Sequence, residues 1–154
     1  MKHTLRLGIL LTLLMAATIP VRADSTPAVN GFVSGIELCE QAVCGSAIFV
    51  GFYQGQFGVR PNALGTIAVA VNHDTPLPTA PNCVFITGGH WAMQVGFRQI
   101  GGETHGQLCA NLLPANTFTV LVNLSVAGGS TPLHFVGTLN HNVFPPTIQG
   151  FLTN

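Results

Sequence analysis

Positive charge is nearly missing from this chain once its first residues are set aside. Lysine occurs once, at Lys2, and beyond Arg22 the only cations are Arg60 and Arg98. Two cations cannot neutralise a run of phosphates, so nucleic acid is excluded as a ligand, and attraction to anionic membranes is weak for the same reason. Acidic groups are also few: Asp24, Glu37, Glu40, Asp74 and Glu103 leave the part from Asp24 onward with a net charge of −3. A soluble surface is usually about a quarter charged, so Asn, Gln, Ser, Thr and Gly must supply its polarity here. That composition points to a protein that adheres, assembles or sits in an envelope. Catalytic signatures are missing too: there is no Gly-x-Ser-x-Gly elbow, phosphate-binding loop, His-Glu-x-x-His or Cys-x-x-Cys. Ser46 follows Cys44-Gly45, but nothing in the sequence marks a base to activate it.

What is present begins with an export signal. Lys2 and Arg6 precede an apolar run from Leu7 to Ile19, followed by Val21-Arg22-Ala23. This is the positive, apolar and small-x-small order of a secretory signal peptide, which predicts cleavage after Ala23 and a secreted or periplasmic protein with no stable membrane span afterwards. Residues 24–30 read as a flexible polar leader, and residues 31–154 as a single all-β domain. All four cysteines, Cys39, Cys44, Cys83 and Cys109, lie in the exported part, an even number in an oxidising compartment. Two disulfides are expected, with Cys39–Cys44 and Cys83–Cys109 the favoured pairing. Zinc held by four thiolates is the rival, set aside because the spacings lack Cys-x2-Cys knuckles.

Helix signals are scarce, with only "IELCEQAV" (36–43) offering a turn or two. Strand signals are strong, because several runs alternate with period two. "TIAVAVNH" (66–73) puts Ile67, Val69 and Val71 on one face. "HWAMQVGFRQ" (90–99) does the same with Trp91, Met93, Val95 and Phe97, "TFTVLVNLSV" (117–126) with Phe118 to Val126, and "LHFVGTLNH" (133–141) with Leu133, Phe135, Gly137 and Leu139. In "AIFVGFYQGQF" (47–57) both faces are apolar, so that strand is expected to be central or covered on its outside. Turn clusters, among them "RPNALG", "GGETHG", "LLPAN", "AGGSTP" and "NVFPP", separate the runs. The count is eight to nine short antiparallel strands, an antiparallel β-sandwich or a small closed β-barrel. "FVGFYQG" (49–55) and "QVGFRQIG" (94–101) resemble each other, which raises the prospect of two similar halves.

The most suggestive repetition is "VNHDTPLPT" (71–79) against "LNHNVFPPT" (139–147). His73 continues the row of Val69 and Val71, and His141 that of Gly137 and Leu139, so both imidazoles face the core where a strand gives way to a proline-containing loop. The architectural reading is that each ring satisfies a carbonyl of its own loop while the neighbouring Asn caps the turn. The functional reading joins His73 and His141 in a site for a divalent transition metal or for acid–base chemistry, with Asp74 as a further ligand. Glu103 with His105 has the form of a carboxylate-oriented histidine, but the flanking glycines read as a hairpin tip; His90 calls for the same test, and His134 reads as a surface residue. The expectation is therefore a secreted or periplasmic, non-enzymatic β domain for binding, adhesion or assembly in the cell envelope, needing no cofactor. Its partners would be a second copy of itself, a glycan or another envelope component. The alternative is a small metal-dependent or acid–base enzyme using His73 and His141.

Overall fold

A computed structural model describes residues 26–38, 46–74, 78–79 and 81–154. They form eight antiparallel strands: β1 (Val29–Leu38), β2 (Ser46–Phe57), β3 (Arg60–His73), β4 (Cys83–Val95), β5 (Arg98–Ala110), β6 (Thr117–Leu124), β7 (Leu133–Asn140) and β8 (Thr147–Thr153). Each strand pairs with its neighbour in the chain, and β1 pairs with β8, so the sheet closes into an up-and-down barrel. Among the described residues there is no helix, and hence none long and apolar enough to cross a membrane.

The period-two rows become the inner wall. Val33, Tyr53, Ile67, Met93, Leu108, Val122, Leu139 and Leu152 are all buried in one core that fills the barrel. Their alternation with polar residues follows from the pleat, which sends successive side chains to opposite faces. Closure is helped by small residues on β1, β2, β7 and β8, where Gly31 faces Gly55, Gly35 faces Gly51 and Gly137 faces Gly150. The Tyr53 ring occupies the space over Gly31, where an added Cβ would lie 2.6 Å from the ring. Large aromatics thus fit inside a barrel too narrow for a side chain at every position. On the outer wall, Cys83 and Cys109 stand directly opposite each other on β4 and β5 and form the expected disulfide. Closing a loop of this size is worth about 3 kcal/mol. The other two cysteines, the segment expected to be a signal peptide and the first two residues of the expected leader lie outside the described residues.

Several expectations for individual segments are corrected. "HWAMQVGFRQ" is not one strand: β4 ends at Val95, Gly96 adopts φ 60°, and Phe97 sits at a hairpin tip instead of in the core row. "GGETHG" is not a tip but the middle of β5, and "RPNALG" opens β3. In the last two segments glycine supplied the misleading signal, because in a tightly curved barrel it also marks close backbone approach. Ile36–Leu38 continue β1, and the strand starts at Val29, inside the expected leader. Of the two alternatives for β2, the central one holds, since it pairs with β1 and β3. Its outer face is not covered by the described residues, with Phe52 73% exposed. "FVGFYQG" and "QVGFRQIG" are not equivalent either, since the first lies within β2 and the second spans the β4–β5 hairpin.

Candidate functional site

Strand direction places both Asn-His segments at the same end of the barrel. β3 ends at His73, and β7 ends at Asn140 with His141 following, four strands apart around a ring of eight. They therefore stand on opposite walls of one rim.

At the first loop, His73 Nδ1 lies 2.7 Å from the carbonyl of Asp74. Asp74 N–H donates to the Phe85 carbonyl and the Thr87 hydroxyl donates to the Asn72 carbonyl, stitching the rim of β3 to β4. At the second loop the Asn140 side chain accepts from the Asn142 backbone N–H at 2.9 Å, the expected turn cap. Asn142 Nδ2 donates to the Ala115 carbonyl, and His141 N–H donates to that of Asn116, so this loop is bound to the β5–β6 loop beside it.

The His141 ring takes a partner that sequence reasoning missed. Its Nε2 lies 2.8 Å from Oε2 of Glu37 on β1, while the ring packs edge-on against Phe118 at 5.1 Å. The Nε2–H direction falls outside hydrogen-bond alignment, so this is a close approach of ring and carboxylate and not a well-formed hydrogen bond. Glu37 is buried, with 7% of its surface exposed. A signal for it existed: Glu37 extends the row Val29, Gly31, Val33, Gly35, and a carboxylate on the inner row of a strand needs a partner. Reading "IELCEQAV" as helical hid that position.

Glu37 and His73 face the same space. The barrel centre retains a cavity of about 60 Å³ whose walls include Val33, Phe49, Ile67, Val122 and Leu139, with Glu37 and His73 the ionisable groups lining it among the described residues. A water needs about 10–15 Å³ on this measure, so the space suits a molecule of roughly four to six heavy atoms. An eight-stranded barrel is the size at which the interior is either filled by side chains or holds one small ligand.

The remaining described histidines lie on the outer wall. Glu103 and His105 point outward from β5 with carboxylate and ring 3.9 Å apart, both largely exposed, and His90 stands opposite Glu103 on β4. His134 Nδ1 approaches Asn123 Oδ1 at 2.7 Å across β6 and β7. Ser46 opens β2, exposed and opposite Asn72. Among the described residues no three His, Cys, Asp or Glu side chains come together as a metal-binding group.

The fold and site together define a closed up-and-down β-barrel with an apolar centre and a buried carboxylate at one mouth. Comparison of the chain with protein-family models, curated proteins and solved structures finds no match.

Proposed function

We propose that this is an exported, non-enzymatic binding protein of the cell envelope. Its barrel takes up a small molecule with an apolar body and a hydrogen-bond-donating or cationic head. The observation that carries this reading is the apolar cavity with Glu37 buried at its mouth. A carboxylate there offers strong acceptor oxygens to a donor head group, and charge-assisted bonds of this kind are about twice as strong as neutral ones. The signal-like N terminus and the Cys83–Cys109 disulfide support export. Calorimetric titration with short alkylamines and the matching alcohols tests the reading. Saturable amine binding is expected, weakened about tenfold or more by Glu37→Gln while alcohol binding persists. No heat of binding for either series, or amine binding indifferent to Glu37→Gln, overturns it.

The outer wall supports the assembly part of the proposal. Ile36, Ile48, Val50, Phe52 and Ala68 surround an external hollow of about 440 Å³, and Phe32 meets Phe151 edge to face at 5.6 Å on the same side. Contiguous exposed apolar surface of this kind marks an interaction face, here for a second copy of the chain or an uncharged glycan.

One observation favours a second reading. A histidine beside a buried carboxylate is a general-base arrangement, so Glu37 with His141 supports acid–base turnover of the bound molecule, a site that differs from the His73–His141 pairing. Recovery of the titrated ligand chemically altered would select this reading over simple binding.

A further inference from the structure

The opposite end of the barrel carries two hairpin tips of one design. Residues 56–60 read Gln-Phe-Gly-Val-Arg and residues 94–98 read Gln-Val-Gly-Phe-Arg. They connect β2 to β3 and β4 to β5, so both tips stand at the end remote from Glu37, His73 and His141. In each the glycine adopts a left-handed conformation, Gly58 at φ 59° and Gly96 at φ 60°. In each the glutamine side chain donates back to the glycine carbonyl, Gln56 to Gly58 at 3.1 Å and Gln94 to Gly96 at 3.2 Å. The braced turn throws the next residue outward: Val59 is 99% exposed and Phe97 107%. Neither contributes to the core, so the fold does not require an apolar residue there.

The arginines that follow complete the pattern. Arg60 and Arg98 are the only described cations, both at this end and both exposed. Arg60 reaches toward the second tip, where a Cβ added to Gly96 would lie 3.3 Å from its Nη1. Among the described residues neither arginine pairs with a carboxylate. Glu37 and Asp74 lie at the opposite rim, and Glu103 lies midway along β5. Among the described residues the charge is thus polarised, cations at this end and acids toward the other. The far rim also exposes Leu113 and Phe144, but it has acids where this end has cations.

We propose that this end docks on an anionic lipid surface, Val59 and Phe97 entering the headgroup–acyl boundary while Arg60 and Arg98 pair with lipid phosphates. Apolar residues ringed by cations are the chemistry of interfacial anchoring, and arginine binds phosphate with a planar fork of donors. Two cations alone attract an anionic surface only weakly, as the composition implies, so the contact is reversible and rests on Val59 and Phe97 entering the boundary beside them. The barrel then stands on the membrane with its cavity mouth facing away.

Flotation of the full chain with vesicles rich in phosphatidylglycerol, against vesicles of phosphatidylcholine alone, tests the proposal. The wild type should favour the anionic vesicles and be released by salt. Each of Arg60→Gln and Arg98→Gln should lower the anionic partition by about fivefold. Val59→Ser with Phe97→Ser should lower partition to both vesicles, by about tenfold or more. All variants carry the same N-terminal segment, so differences among them read the tips alone. Unchanged thermal melting confirms that the exposed substitutions leave the fold intact. Equal capture of wild type and tip variants, no anionic preference, or loss of capture only on Leu113→Ser with Phe144→Ser would each overturn it.

Discussion

The chain's single tyrosine shows how one side chain couples the core to solvent conditions. Tyr53 is fully buried, its hydroxyl donating to the Gln56 carbonyl just below the first hairpin tip. Burial pushes its pKa above the ordinary tyrosine value near 10, and a backbone hydrogen bond at Asn30 offsets only part of that rise. A raised folded-state pKa contributes stability that is fully present below the unfolded value and is lost as pH rises through the folded one. Melting temperature should therefore be insensitive to Tyr53 below about pH 10 and fall above it, with tyrosinate absorbance rising as the barrel opens. Tyr53→Phe should cost about 1 kcal/mol near neutrality by leaving a carbonyl unpaired. It should also flatten the alkaline decline, and a decline as steep as wild type in that variant would remove Tyr53 as its cause.

At the scale of elements, the two Asn-His loops close strands by different means. His73 is held by its own loop carbonyl, whereas His141 stands against Glu37 on β1 and so ties the β7–β8 connection to a strand beyond its own hairpin. Unequal losses follow. His73→Ala should cost about 1 kcal/mol, and His141→Ala about 3 kcal/mol, because it removes the ring that stands against a buried carboxylate. Since β3 and β7 lie on opposite walls, the two losses should add. The measurement is a urea double-mutant cycle with and without chelator. Strong non-additivity together with a chelator effect would instead make the two histidines ligands of one metal. The hairpin tips, for their part, show that an element can be under-used by the fold, since Val59 and Phe97 bury nothing where they stand.

For the whole molecule, closure of the barrel decides which surfaces remain for association. Edge-to-edge strand pairing, the route that a lysine-poor β protein would otherwise offer, is unavailable because β1 and β8 satisfy each other. Self-association must then proceed through the outer apolar face around Val50 and Phe52, and a net charge of −3 from Asp24 onward opposes it only weakly. Sedimentation should show concentration-dependent association that Phe52→Ser reduces. A strictly monomeric profile at every concentration, with no retention on polysaccharide resin, would remove both the second copy and the glycan as partners.

The residues facing the core were legible in sequence, because a period-two row has one physical meaning: Leu133, Phe135 and Leu139, or Phe118, Val120 and Val122, must share a face. The all-β class, the opposed Cys83 and Cys109 and the shared role of the two Asn-His loops as strand terminators followed from equally local chemistry. Other features depended on which segments meet. Sandwich or barrel turned on whether the first strand reaches the last, which is a matter of accumulated twist and of glycines facing one another across β1–β2 and β7–β8. The glycines of β5 read as a turn until neighbouring strands showed them to be points of close approach. Glu37 acquired meaning only when closure brought β1 beside the loop after β7, and Arg60 and Arg98 only when two hairpins were set side by side. Local pattern fixes which way a side chain points, and tertiary pairing fixes what it meets there.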